Sequence, residues 1–149
     1  MLLLILVRKR RILFSKTCSV FISKRSSAIK ILGTQEVTLE FDSTIPCVDL
    51  VWQGFVPAER FRSVIEIMVE FIKEKSREYK HIQLFADIRK LGVVSIENVD
   101  WMAETIDPEL YKCGVRKVSF IVPENAFTKV SLEFYTEKVE AEEGKLIPA

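Results

Sequence analysis

The segment 58–79 has the clearest periodicity in the chain and restricts the fold more than any other feature. Apolar residues recur there at helical spacing, within an arc of roughly 120° if each residue turns the chain by about 100°. These residues are Phe61, Val64, Ile65, Met68, Phe71 and Ile72. Charged residues take the other side, where Glu59 and Arg62 have the spacing of a favourable ion pair. The pattern predicts an amphipathic helix whose apolar side must be covered by another layer of structure.

Strand-like segments lie on both sides of this helix. Residues 37–41 and 47–52 alternate apolar and polar side chains and are joined by turn-forming residues, which predicts a β-hairpin. The runs 82–88 and 116–122 are mostly apolar, which is typical of buried strands. These segments therefore supply a sheet on which the helix can pack.

A second helical pattern covers 96–106, with Ser95 in the N-cap position. Its apolar residues are expected on one buried side: Ile96, Val99, Met102, Ala103 and Ile106. Trp101 points nearly opposite to them, so this ring is either covered by another segment, such as 107–111, or available to a partner. The helix is expected to break at 107–108, and a new element is expected to begin after it.

The remaining elements complete an alternating order. A short helix over 109–113 ends at Gly114, a last helix covers 125–140, and a final strand begins at 145–147. The order β-β-α-β-α-β-α-(β) predicts an α/β fold with a single-layer mixed sheet of four to five strands flanked by helices. Strands separated by helices pair in parallel, and the hairpin adds an antiparallel edge.

Charge divides the chain into two parts. Residues 1–33 hold eight basic residues and no acid, whereas residues 34–149 hold 14 basic and 21 acidic residues. We therefore expect residues 1–33 to be a basic extension, poorly ordered or partly helical, and residues 34–149 to be the folded domain. The acidity of the domain argues against nucleic-acid binding on its surface. For the extension, peripheral membrane contact, targeting, nucleic-acid binding and a leader upstream of the true start remain open.

The sequence lacks the residues that several kinds of functional site require. The three cysteines are widely spaced without a C-x-x-C pair, and His81 is the single histidine, so neither a disulfide framework nor a metal site is expected. The five glycines are isolated, which leaves no phosphate-binding loop and no cofactor motif. Free thiols favour a cytoplasmic location. No catalytic set is evident.

The polar pair Asp87 and Arg89 ends the strand predicted at 82–88. In open α/β sheets, ligands bind beyond the carboxyl ends of strands. The pair either fixes the loop through a mutual contact or binds a ligand. Trp52, Phe55 and Trp101 are expected near the same strand ends and complete the candidate ligand site.

Three motifs in this region resemble those of small bacterial proteins of the STAS-like superfamily. They are VWQGF at 51–55, ADIRKLGVVSIE at 86–97 with Trp101 downstream, and GVRKVSFIVP at 114–123. That superfamily includes anti-sigma-factor antagonists and is similar in fold to CRAL-TRIO lipid-binding domains. The resemblance implies a mixed sheet flanked by helices and a binding or regulatory role. It also implies a chain truncated at its C-terminus, since relatives continue beyond 145–149.

The sequence thus predicts a non-catalytic domain that binds an apolar small molecule or a protein partner, and a homodimer stays open. One alternative is a phospho-regulated partner-switching module. Anti-sigma-factor antagonists are phosphorylated on a Ser after a central strand; here that turn holds Asp87 and Arg89, and the nearest Ser is Ser95. A second alternative is an enzyme that uses Asp87 as acid or base.

Overall fold

The computed structural model describes residues 2–7, 12–15, 28–122 and 137–138. The strands are β1 (Leu2–Val7), β2 (Ile12–Ser15), β3 (Ala28–Gly33), β4 (Val37–Asp42), β5 (Cys47–Trp52), β6 (Gln83–Asp87) and β7 (Lys117–Val122). The helices are α1 (Ala58–Lys75), α2 (Ile96–Trp101), a π-helix (Met102–Ile106) and α3 (Asp107–Lys112). The predicted α/β class is confirmed.

All seven strands belong to one sheet, in the order β2-β1-β7-β6-β5-β4-β3. β5 pairs with β6 and β6 with β7 in parallel, and the other neighbours are antiparallel, so the sheet is mixed. β4 and β5 form the predicted hairpin, with Val37 opposite Trp52 and Asp42 opposite Cys47. The parallel strands β5 and β6 end on the same edge of the sheet, which positions the loops that follow them side by side.

Of the N-terminal segment, which is expected to be a poorly ordered or partly helical extension, the structure describes residues 2–7, 12–15 and 28–33. Its described residues form β1, β2 and β3. β3 pairs with β4, with a register shift between Lys30 and Leu32, and β1 pairs with β7. Without β3 and β1, the outer edges of β4 and β7 would carry unpaired backbone N–H and C=O groups, to which another strand can bond. The charge pattern of residues 1–33 gives no sign of this pairing. Of the elements predicted over 125–140 and 145–147, only residues 137–138 lie within the described chain.

α1 packs its apolar side on the sheet, as its periodicity predicts. Phe41 of β4 meets Phe71 edge to face, with ring centroids 5.3 Å apart. At the other end of the helix, Trp52 stacks on Phe61 at 5.2 Å. These aromatic contacts add to the area that the helix removes from water. The residues of α1 that are buried are Phe61, Val64, Ile65, Met68, Val69 and Ile72.

α2, the π-helix and α3 form one uninterrupted helical run over 96–112, which we call the second helical run. The break predicted at 107–108 is wrong. Pro108 has no amide N–H and would crowd the carbonyl of residue 104 in an α-helix, and a π-turn absorbs this without ending the helix. The Asp107 amide donates instead to the carbonyl of Met102.

Gly114 ends the second helical run, as predicted. Its φ of +90° lies in the left-handed region, and its amide donates to the Tyr111 carbonyl at 3.0 Å. A Cβ at this position would come within 2.5 Å of the Lys80 carbonyl oxygen. Close approach of the backbone therefore requires glycine here and fixes where β7 begins.

Candidate functional site

An apolar cavity of about 110 Å³ lies between the sheet and its helices. We call this the apolar cavity. Every side chain that lines it is apolar: Leu50, Trp52, Phe61, Ile65, Met68, Leu84, Ala86, Ile88, Leu91, Val93, Val94, Val99, Met102, Leu110, Val118 and Phe120, together with Gly92. Since α1 and the second helical run both supply lining residues, both lie on the same face of the sheet. We call this the helix face.

The period of two along each strand decides which residues reach the apolar cavity. Leu50 and Trp52 of β5 face it, and so do Leu84 and Ala86 of β6. The lining continues into residues 91–94, which follow β6. The cavity thus extends to the carboxyl ends of the two parallel strands, the usual place for ligands in open α/β sheets.

A second cavity of about 200 Å³ adjoins the first. Phe61 and residues 91–94 line both. The second cavity differs in carrying two polar side chains, Ser95 and Asn98. The Ser95 hydroxyl accepts the amide N–H of Asn98 at 3.3 Å, which confirms its predicted N-cap role. A small ligand in the apolar cavity would therefore have a more polar compartment next to it.

Phe55 lies at the outer wall of the second cavity. Its ring is 75% exposed and so close to Gly92 that a Cβ on that glycine would lie 3.4 Å from Phe55 Cδ2. Val93 and Ile96 are also strongly exposed. The prediction that Ile96 is buried is wrong. Phe55 and Val93 are thus exposed apolar side chains in the wall of the second cavity.

Asp87 and Arg89 lie away from both cavities. Asp87 alternates with Leu84 and Ala86 and so faces the other side of the sheet, the reverse face. Arg89 donates to the carboxylate of Asp87 through Nε at 3.0 Å, through Nη2 at 2.7 Å and through its own backbone amide at 3.1 Å. This hydrogen bonding raises the pKa of Arg89. The mutual contact that the sequence left open is formed, and it anchors the start of the loop.

Trp101 lines neither cavity and is half-buried against the core. The guanidinium of Arg62 covers it, at 5.0 Å from the ring centroid. The cover thus comes from α1, whereas the expectation pointed to residues 107–111. Arg62 Nε also donates to Asn98 Oδ1 at 2.6 Å. The predicted ion pair between Glu59 and Arg62 is wrong, because Arg62 turns towards α2 instead.

Of the predicted ligand residues, only Trp52 lines the apolar cavity, and Phe55 lines the second one. The sequence pattern predicted no contact between Arg62 and Asn98, and Asn98 lines the second cavity. Asn98 is 2% exposed although it lies outside the apolar stripe of α2, and a polar residue gives no periodic signal for burial. The other lining residues were visible only as ordinary core positions.

The described residues offer few groups for metal binding or nucleophilic catalysis. No group of three or more His, Cys, Asp or Glu side chains there is placed to hold a metal ion. His81 is exposed. Burial raises the pKa of Cys113, which makes its thiol a poorer nucleophile. No helix in the described part of the chain is long and apolar enough to cross a bilayer.

Comparison with protein-family models, with curated proteins and with solved structures finds no match to this chain. The resemblance to the STAS-like superfamily therefore stays a prediction, and the site has to be interpreted from its own geometry.

Proposed function

We propose that this chain is a non-catalytic binding domain whose ligand is a small apolar molecule held in the apolar cavity. The observation that carries the proposal is the lining itself, which is apolar throughout and lies at the carboxyl ends of β5 and β6. The two-layer arrangement of a mixed sheet with its helices on one face supports a STAS-like assignment as part of the same proposal.

Water gains little in such a cavity because the lining offers it almost no hydrogen-bond partners. An apolar molecule, in contrast, makes dispersion contacts with every wall and leaves water behind. Apolar cavities of about 150 Å³ in proteins bind benzene. The cavity found here is smaller, about 110 Å³, so it suits a molecule no larger than benzene or the apolar end of a larger one.

The proposal of binding without catalysis is supported by where the charged groups lie. The side chains that line the apolar cavity include no acid, base or nucleophile. The carboxylate of Asp87 is on the reverse face and is occupied by Arg89. A general acid or base must reach the reacting proton within about 3 Å, directly or through one water. An enzyme built on Asp87 is therefore poorly supported, and Ser95 serves as a helix cap.

Benzene tests the proposal by ligand-induced stabilisation. A concentration ten times Kd adds about 1.4 kcal/mol to the free energy of unfolding, which raises Tm by a few degrees. In the variant Ala86→Leu, the new side chain fills part of the apolar cavity, and the benzene-induced rise in Tm is expected to disappear. Differential scanning calorimetry measures both.

The matched control is Val51→Leu, which adds volume on the reverse face and should keep the full benzene response. If Ala86→Leu does not fold, Val99→Leu fills the same cavity from α2 and replaces it. A wild-type protein whose Tm does not respond to saturating benzene would contradict the proposal. So would an equal response of wild type and the cavity-filling variant.

A further inference from the structure

Arg62 is held in one orientation by two neighbours on α2. Its Nε donates to Asn98 Oδ1 at 2.6 Å, and its guanidinium lies over the Trp101 ring. Asn98 is fixed in turn, because its Nδ2 donates to the Ala58 carbonyl at 3.4 Å and its amide N–H is bound by Ser95. The cation is thus positioned in advance, and little side-chain entropy remains to be lost when it binds an anion.

No carboxylate balances this cation within the described chain. Glu59 and Glu66 lie within about one turn of Arg62 on α1, but neither forms an ion pair with it. Asp100, next to Trp101, contacts Lys138 instead. Among the described residues the only hydrogen bond of the guanidinium is the one from Nε, so Nη1 and Nη2 have no protein acceptor there. The Nη groups of this half-buried arginine can therefore bind an anion without first breaking an ion pair within the described chain.

Arg62 lines neither cavity itself, but it is a neighbour of two residues that line the second one. Asn98, which binds Arg62, is part of the wall of that cavity, and so is Ala58, one turn before Arg62 on α1. The second cavity joins the apolar cavity along Phe61 and residues 91–94. A molecule that fills the apolar cavity and extends towards Asn98 therefore approaches the guanidinium.

We propose that the ligand is a short apolar monocarboxylate, with its hydrocarbon part in the apolar cavity and its carboxylate on Arg62. This inference rests on the proposed function and adds the polar end of the ligand. The two Nη groups of a guanidinium match the two oxygens of a carboxylate, and one positive charge balances one negative charge. On the scale of a cavity of about 150 Å³ that holds the six carbons of benzene, 110 Å³ holds about four carbons, so a chain of about six carbons including the carboxyl end is the fitting length.

Hexanoate and hexan-1-ol test the inference, because they share a chain and differ in charge. Isothermal titration calorimetry at neutral pH should show tighter binding of hexanoate to the wild-type protein. In Arg62→Gln, we expect hexanoate to bind roughly tenfold more weakly or worse, since a hydrogen bond to a charged group is lost. The affinity for hexan-1-ol should stay the same.

The matched control is Arg60→Gln, which removes the same charge two residues earlier on α1 and should leave hexanoate binding unchanged. Arg62→Lys keeps the charge without the planar fork and should bind hexanoate with intermediate affinity. Urea unfolding checks that each variant is folded. Equal affinities for hexanoate and hexan-1-ol, or equal losses in the two Gln variants, would overturn the inference.

The two proposals fail separately. If benzene stabilises the protein but Arg62→Gln binds hexanoate as tightly as wild type, the apolar cavity binds ligands and the carboxylate assignment is wrong. If neither benzene nor hexanoate binds to the wild-type protein, the proposed function itself is wrong, and the inference falls with it.

Discussion

The two faces of the central sheet differ in chemistry although they are made by the same strands, because only the reverse face of β5 and β6 carries carboxylates. On β5 and β6 the helix face presents Leu50, Trp52, Leu84 and Ala86, which line the apolar cavity. The residues between them face the reverse side: Asp49, Val51, Phe85 and Asp87. The two sets are separated because successive side chains of a strand point to opposite faces of the sheet.

The difference shows how one sheet keeps an apolar lining apart from carboxylates. On the helix face no charge interrupts the lining, so unfilled volume there can hold an apolar molecule. On the reverse face Glu40 and Asp49 are cross-strand neighbours, and Asp87 binds Arg89. Acids so placed can fix loops and set the charge of that surface, but they cannot reach a ligand on the other side of the sheet.

The largest expected effect comes from truncating neighbouring residues on opposite faces of β5. Leu50→Ala removes a buried side chain that lines the apolar cavity and should lower the free energy of unfolding by about 2–5 kcal/mol. Val51→Ala removes a half-buried side chain on the reverse face and should cost about 0.5–1.5 kcal/mol. Urea unfolding followed by circular dichroism measures both. Equal losses would break the contrast between the faces.

A smaller effect is expected from the ion pair on the reverse face. Asp87→Asn removes the negative charge that Arg89 binds and should cost about 1–2 kcal/mol, since the arginine is partly exposed and water can replace its partner. Benzene should stabilise this variant as much as wild type, because residue 87 does not reach the apolar cavity. A lost benzene response would show that the two faces are coupled.

The smallest expected effect is at the wall of the second cavity. Ser95→Ala removes the cap of α2 and should lower the free energy of unfolding by about 1 kcal/mol. It also removes one of the two acceptors of the backbone N–H of Asn98, the partner of Arg62, and leaves only the Ser95 carbonyl oxygen at 3.0 Å. Hexanoate should therefore bind slightly more weakly, whereas benzene binding should not change. Chemical denaturation and calorimetry on the same sample separate the two effects.

The periodicity of apolar residues predicts much of the helix face but does not predict the apolar cavity. The hairpin of β4 and β5 and the helix α1 follow from apolar spacing, which local sequence records directly. The strands within residues 1–33 depend on edges formed by distant segments, and the charge pattern there suggested something else. The apolar cavity depends on how well α1 and the second helical run fill the space over the sheet, which no spacing rule contains.

The contact between Arg62 and Asn98 is a second feature that the sequence pattern could not predict. These residues are 36 positions apart, and each is polar, so neither belongs to a hydrophobic pattern. The spacing of Arg62 favoured an ion pair on its own helix with Glu59. Packing of α1 beside α2 offered the guanidinium a buried amide and an aromatic ring instead, and tertiary contacts prevailed over the local pair.

Intermolecular nuclear Overhauser effects between benzene and the protein test the central claim most directly. If the apolar cavity is the binding site, benzene protons should show cross-peaks to the side chains of Leu50, Met68 and Leu84, which meet inside it. Cross-peaks confined to the exposed side chains of Phe55, Val93 and Ile96, with none to the three interior residues, would contradict the account.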